Sequence, residues 1–223
     1  MLLLAVDTAT PAVTAALHDG SSVVAETSSV DARRHGELLL PAVDRVLAEA
    51  GVRLDAVTAV ITGVGPGPYT GLRVGLVTAA TFGSALGVPV HGLCTLDGLA
   101  YASGLEGPFA VATDARRKEV YWARYDSARE RVGGPSVDRP ADIAEELAGL
   151  PVVGAGARLY PEAFPDARGP EHVSAGALAS LAAERLAADP SGSSGGGFLP
   201  PLPLYLRRPD AQVPKNYKVV TPT

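Results

Sequence analysis

The chain opens on an unbroken apolar run, Leu2 to Val6, which stops at Asp7. A run of that length without polar interruption suits a strand buried on both faces. After Asp7-Thr8-Ala9-Thr10-Pro11, the residues Val13, Ala15 and Leu17 alternate with Thr14, Ala16 and His18, the period of two of a second strand. Asp19-Gly20 reads as a hairpin turn into a third strand, Val23–Thr27. The period then lengthens: Leu39, Val43, Val46, Leu47 and Ala50 repeat at helical spacing, and Gly51 follows as a C-cap. Ala56–Ile61 is the next predicted strand, Gly63–Pro68 a stiff glycine-proline loop, and Thr70–Leu86 a second helix closed by Gly87. A short strand, Val88–His91, and a helix, Leu96–Ser103, complete the order β-β-β-α-β-α-β-α.

Three antiparallel strands followed by helix–strand alternation is the order of a ribonuclease-H-like lobe. From Gly104–Pro108 the pattern restarts, with strands at Phe109–Thr113, Val120–Tyr125 and Val132–Val137. A helix at Ala141–Leu147, a strand at Val152–Val153 and a helix at Ala177–Ala188 follow. Asp7 and Asp114 each end the first strand of their half, and Gly63-Val64-Gly65 is echoed by Gly154-Ala155-Gly156. This repeat of topology predicts an α/β protein of two ribonuclease-H-like lobes, the actin-like ATPase architecture, with a cleft between them and a smaller, degenerate second lobe. The expected boundaries are 1–104, 105–190 and a tail over 191–223. In the tail, Ser191–Gly197 reads as a linker, and Pro200, Pro201, Pro203, Pro209 and Pro214 enforce an extended path. Leu202, Leu204, Tyr205 and Leu206 then need an apolar surface to lie on.

Composition narrows the class. An apolar fraction of 47% with 19% charged residues belongs to a folded globular chain. The lone Cys94 rules out an intramolecular disulfide and fits a reducing compartment. The first residues lack a basic segment and meet Asp7 too early for a signal peptide or a membrane span, so the expected location is the cytoplasm, away from any membrane. A formal net charge of −5 speaks against this chain alone gripping a phosphate backbone, and the first lysine is Lys118.

Several residues are candidates for chemistry. Asp7 stands where two-lobed kinases of this fold orient a metal-bound phosphate, beside Thr8; alternatively it accepts hydrogen bonds from Thr8 or Thr10 and shapes the hairpin. The loop with Gly65 and Gly67 leads to Thr70 at a helix N-terminus, which offers free N–H groups and a positive dipole end to an anion. It contains no Gly-Lys-Ser/Thr, so it is not a P-loop, and a stiff connection is the competing reading. Along the following helix Gly71, Gly75, Ala79 and Gly83 fall on one face stripped of bulk. Three glycines weaken a helix by roughly 1 kcal/mol each against alanine, so close packing must compensate, either within the lobe or against a partner helix. Arg73 beside the stripe suits an interface rim. His18, His35, His91 and His172 include no His-x-x-x-His pair, and no Gly-x-Ser-x-Gly elbow occurs. Cys94 has no neighbouring base in sequence and reads as a buried thiol. Asp114-Ala115-Arg116-Arg117-Lys118-Glu119 is a charged turn, either a solvated tip or a dock for an acidic or RNA partner.

The sequence resembles the TsaB family, also called YeaZ. The resemblance rests on Leu3–Thr10, on Gly65-Pro66-Gly67-Pro68-Tyr69-Thr70-Gly71-Leu72-Arg73-Val74-Gly75, on Asp114–Tyr121 and on Leu204-Tyr205-Leu206-Arg207. It implies a part in forming threonylcarbamoyladenosine next to the tRNA anticodon, with no catalytic residue, metal or cofactor in this chain and ATP only within the complex. The implied partners are a metal-bearing TsaD-like paralogue and a TsaE-like ATPase, or a second copy when the partner is absent, with tRNA reached only through the complex. In the paralogue two histidines hold the metal; here the corresponding helix has His35 but Leu39 in the second position. The expected interface then comprises His35, Leu39, Gly71, Arg73, Gly75, Ala79 and Gly83. A small-molecule kinase or ATPase of the actin-like superfamily is the alternative, favoured by Asp7 and the glycine-rich loops and opposed by the shrunken second lobe.

Overall fold

A computed structural model describes residues 1–193 and 196–207. Pro209 and Pro214 of the expected extended tail, and Ser194 and Gly195 of the linker, lie outside the described residues. The first sheet contains β1 (Leu3–Asp7), β2 (Ala12–His18), β3 (Val23–Val30), β4 (Ala59–Gly63) and β5 (Val90–Leu93), in the order β3-β2-β1-β4-β5. β1 pairs antiparallel with β2 and parallel with β4, so the hairpin strands lie on one side of β1 and the crossover strands on the other. The second sheet repeats the scheme with β6 (Glu106–Asp114), β7 (Val120–Ser127), β8 (Glu130–Asp138), β9 (Val152–Val153) and β10 (Ala167–Arg168), ordered β10-β9-β6-β7-β8. Two copies of the ribonuclease-H-like arrangement, the second with two-residue crossover strands, are the architecture expected from the sequence.

Among the described residues six α-helices separate and cover the sheets: α1 (His35–Ala50), α2 (Tyr69–Leu86), α3 (Thr95–Ser103), α4 (Pro140–Ile143), α5 (Ala155–Leu159) and α6 (Ala175–Ala188). α1 and α2 pack on the outer face of the first sheet, where Leu4, Val6, Val13 and Leu17 meet Leu39, Val43 and Val46. Successive strand residues point to opposite faces, so Leu3, Ala5 and Ala16 point the other way. They join a central core with Leu96 and Leu99 of α3, Leu178 and Leu181 of α6, and Phe109, Val111 and Tyr125 of the second sheet. The shared core makes α3 and α6 the layer between the lobes. Asp97 of α3 reinforces it, accepting a hydrogen bond from the Tyr125 hydroxyl at 2.9 Å and facing Arg131 at 3.1 Å.

Helix ends follow the expected chemistry. Gly51 and Gly87 take left-handed conformations, φ 65° and 66°, and close α1 and α2. The Ser174 hydroxyl accepts from the Ala177 amide at 3.0 Å as the N-cap of α6. The helix expected over Ala141–Leu147 is helical only as Pro140–Ile143 before turns take over. The strand expected from Ala56 begins at Ala59, because Leu54–Ala56 closes a 3-10 turn first. The sequence announces neither α5 nor β10, of five and two residues; the exposed Ala167–Arg168 lacks the apolar pair that marks β9.

Candidate functional site at the second helix and the interlobe cleft

Asp7, at the end of β1, is wholly enclosed. Its carboxylate accepts the Ala9 amide at 2.7 Å on one oxygen and the Thr95 hydroxyl at 2.7 Å on the other. Desolvation pushes its pKa up to about 6, against the lowering effect of those two hydrogen bonds. A Cβ on Gly63 would fall 1.6 Å from the carboxylate, so β4 needs glycine at its last residue. Asp7 shapes the turn after β1, through Ala9 and Thr95 in place of the expected Thr8 or Thr10. The expectation that it faces a metal-bound phosphate is corrected, since no solvent reaches it.

The glycine-proline loop is equally committed to its own lobe. Thr95 ties it at both ends of one residue: the Thr95 amide donates to the Gly65 carbonyl at 2.8 Å, and the Gly65 amide donates to the Thr95 hydroxyl at 3.2 Å. At Gly67 a Cβ would meet the Ala9 carbonyl oxygen at 2.1 Å, so backbone lies against backbone. Gly65 and Gly67 are buried, and the anion-site expectation for them gives way to the stiff-connection reading. Thr70 alone of that group is exposed, at the first turn of α2.

The glycines of α2 receive an internal guest. The buried Thr8 hydroxyl donates to the Gly71 carbonyl at 2.7 Å and accepts from the Gly75 amide at 2.8 Å. These are the two groups that one α-helical hydrogen bond joins, and a hydroxyl placed between them needs both positions free of side chains. Further along, Ala79 is buried, and a Cβ at Gly83 would fall 2.2 Å from a Val90 methyl. The small-residue face therefore packs on Thr8, just past β1, and on Val90 of β5 in the same lobe. Its assignment as a partner surface is corrected for Gly71, Gly75, Ala79 and Gly83, and for Leu39, which is 1% exposed under α1.

What α2 shows to solvent is the opposite face, which carries Val77 at 64% exposure and Tyr69 at 45%; on α1, Leu40 stands 52% exposed beside the buried stripe. Arg73 lies on this face, over the Tyr69 ring at 3.9 Å, its Nε donating to the Tyr205 hydroxyl at 2.8 Å. Tyr205 stacks on Tyr69 with centroids 5.1 Å apart. His35 is half-buried at the start of α1; its Nε2 lies 2.8 Å from the Thr10 carbonyl, which can only accept, so Nε2 carries the proton.

Tyr205 belongs to a strap that sequence reasoning left without a path. Leu199 bridges to Gly92 of β5, the Leu204 amide donates to the Val64 carbonyl at 2.8 Å, and both leucines pack over Ala9, Val64, Leu72 and Leu76. Its last described residue, Arg207, crosses to the second lobe, where its guanidinium donates to the Ala115 carbonyl at 3.1 Å and pairs with Glu119.

That crossing fixes an unusual turn. Arg116, Arg117 and Lys118, at the tip of the β6–β7 hairpin, have φ of 61°, 57° and 61°. Side-chain-bearing residues enter the left-handed region singly, at about 1–2 kcal/mol each, and three in succession need support. The Ala115 amide bonds to the Glu119 carbonyl at 3.0 Å, the Glu119 amide to the Arg116 carbonyl at 3.0 Å, and the Arg116 amide to the Asp114 carboxylate at 2.7 Å. Between this hairpin and the first lobe lies a cleft of about 330 Å³, bordered by Thr10, Arg33, His35, Thr70, Val74 and Arg116.

Reactive groups are scarce. Cys94 is buried and its thiol is pushed up to about 12, chiefly by desolvation. Among the described residues no three histidine, cysteine, aspartate or glutamate side chains gather as a metal site, and no helix is long and apolar enough to cross a membrane.

Known proteins give this geometry relatives. Residues 23–160 match the family model described as TsaD, tRNA N6-adenosine threonylcarbamoyltransferase. An uncharacterized protein of Mycobacterium tuberculosis is 43% identical over 94% of this chain and 93% of its own length. The tRNA threonylcarbamoyladenosine biosynthesis protein TsaB of Escherichia coli is 35% identical over 56% of this chain and 55% of its own. The structure of YeaZ from Pseudomonas aeruginosa superposes with a TM-score of 0.75 at 31% identity, covering 92% of this chain and 99% of that one. Identity and fold agree over nearly the full length of that structure, and the chain belongs to the TsaB (YeaZ) family.

Proposed function

We propose that this protein is a non-catalytic subunit in the biosynthesis of threonylcarbamoyladenosine in tRNA, acting in the cytoplasm beside a TsaD-like paralogue that holds the metal and transfers the group. The observation that carries this reading is the outward face of α2, where Tyr69 and Val77 stand exposed although the inner face is filled, with Leu40 exposed on the neighbouring α1. Exposed apolar and aromatic side chains grouped with an arginine are the makings of a protein interface. The paralogous helices would pack there, a TsaE-like ATPase would join the pair, and two copies of this chain would meet through the same face when the paralogue is absent. This replaces the glycine stripe as the docking surface and keeps Arg73.

The sealed β1 end supports the non-catalytic part. A kinase or ATPase would need the carboxylate of Asp7 and the glycine loop open to its nucleotide, and here Thr95, Ala9 and Gly63 occupy that space. ATP and metal then belong to the complex. The test is reconstitution: the modification assay is run with purified TsaD-like and TsaE-like subunits, with and without this chain. Modification that proceeds equally well without it would overturn the reading, as would ATP turnover by the isolated chain.

A further inference from the structure

We infer that the left-handed hairpin tip Arg116-Arg117-Lys118 is a contact for the phosphate backbone of RNA. The inference deepens the preceding proposal, in which the substrate is a tRNA, by giving this chain a direct part in holding it.

The charge distribution comes first. The chain carries a net charge of −5, yet three consecutive exposed cations stand at this tip. Others flank them: Arg33 borders the same cleft as Arg116, which pairs with Asp114 at 3.1 Å, and Arg139 borders the same groove as Lys118, where the acidic neighbour is Glu162. Local excess of one sign on an otherwise acidic surface attracts a polyanion to that place and not elsewhere.

Geometry comes second. The left-handed turn spreads its side chains instead of bunching them: Arg116 borders the interlobe cleft and Lys118 the groove of the second lobe. The array is also held before any ligand arrives, since Arg207 grips the Ala115 carbonyl and the Glu119 side chain at the two feet of the turn. A pre-ordered element binds without the entropy loss of ordering a loop. RNA is favoured over an acidic protein because Arg116-Arg117-Lys118 offers three adjacent cations and no aromatic or aliphatic side chain of its own, and affinity for a phosphate backbone is carried by just such Lys and Arg groups.

The test uses asparagine, which tolerates left-handed backbone. Binding of a tRNA transcript is measured across a salt series for the full chain, alone and joined to the TsaD-like subunit, with wild type and with Arg116→Asn/Arg117→Asn/Lys118→Asn. The expected result, in a preparation that binds tRNA, is about tenfold or greater loss at low salt and a log–log salt slope shallower by about 2. Arg53→Asn, on an exposed turn of the first lobe, serves as the control and should leave both values unchanged. A circular-dichroism melt of the triple variant that matches wild type excludes misfolding, and Lys118→Glu alone repeats the test with one side chain changed. The inference is overturned if the triple variant and Lys118→Glu keep wild-type affinity and slope, or if wild type binds tRNA in neither preparation. It is overturned too if the variants lose the protein subunit while the tRNA slope stays, which would make the hairpin a protein dock. Complex formation with unaltered tRNA binding sinks only the hairpin, whereas failure to form a complex sinks the preceding proposal and leaves the measurement on the chain alone to decide.

Discussion

The Thr8 hydroxyl stands 2.8 Å from the Gly75 amide, inside the first turns of α2, and a Cβ on Gly75 would fall 2.7 Å from that oxygen. Thr8 is itself wholly buried, so it has little room to retreat. Gly75→Ala is expected to destabilise the isolated chain by about 1–3 kcal/mol, the usual effect of overpacking. Thr8→Val should lose a similar amount, because the Gly71 carbonyl and Gly75 amide then have to close on each other around a methyl group. The two changes are coupled. Thr8→Ala together with Gly75→Ala should cost less than Thr8→Ala and Gly75→Ala summed, and urea denaturation of wild type, those two singles and the double in a double-mutant cycle measures the difference. Additive values within about 0.5 kcal/mol would mean that the hydroxyl does not sit in the helix.

Asp7 predicts a pH effect of defined sign. Its folded pKa, about 6, lies above the ordinary value of 3.8, so the folded state holds the proton more tightly than the unfolded chain. The stabilising contribution of the protonated carboxyl is complete below the ordinary value and is lost as pH rises through about 6. The difference amounts to about 3 kcal/mol at most. Asp7→Asn keeps the shape and removes the charge. Relative to wild type, the variant should gain stability between pH 4 and pH 7, seen as diverging urea midpoints. A constant offset between the two proteins across that range would show that the carboxyl titrates normally.

Much of this was legible in the sequence, and the reasons differ from place to place. The continuous run Leu3–Val6 and the glycines closing both long helices carry strong local signals, which is why the first lobe emerged in order. The stripe of Gly71, Gly75 and Gly83 was equally visible, and its close packing followed from the missing side chains. What approaches it did not follow. A bare helix face admits a foreign backbone or its own strand equally well, and the choice depends on Thr8 and Val90, sixty-seven and seven residues away in the chain. The strap was anticipated only as apolar residues in need of cover. Its route over Val64 to Glu119 is a long-range fact without a periodic signature, and the left-handed run at Arg116–Lys118 has none of the glycine or asparagine that normally announces such backbone.

The strap makes its own prediction. Leu199 and Leu204 lie against the small cluster of Ala9, Val64, Leu72 and Leu76, and their amides bond to carbonyls of the first lobe, whereas Leu202 points outward at 67% exposure. Leu204→Ala should therefore destabilise by about 1–2 kcal/mol, the scale for a partly buried leucine, and Leu202→Ala by less than about 0.5 kcal/mol. Native-state hydrogen exchange should show the Leu199 and Leu204 amides protected. Equal effects of the two substitutions, with no protected amide among residues 198–207, would show that the strap does not stay docked.

The outward face of α1 and α2 allows the sharpest separation of folding from assembly. Val77 and Leu40 are exposed, so an aspartate at either place meets water in the isolated chain, and stability should change by no more than about 0.5 kcal/mol. In a complex the same carboxylate would be trapped against an apolar partner surface, where an unpaired charge is strongly disfavoured. Val77→Asp should weaken association with the TsaD-like subunit at least a hundredfold, and in sedimentation the isolated wild type is expected to self-associate while the variant stays monomeric. Gly75→Ala should behave in the opposite way, lowering the melting temperature while the folded fraction still binds. If Val77→Asp and Leu40→Asp bind the subunit as tightly as wild type does, the interface lies elsewhere on the molecule, and the exposed apolar residues of these helices are ordinary surface.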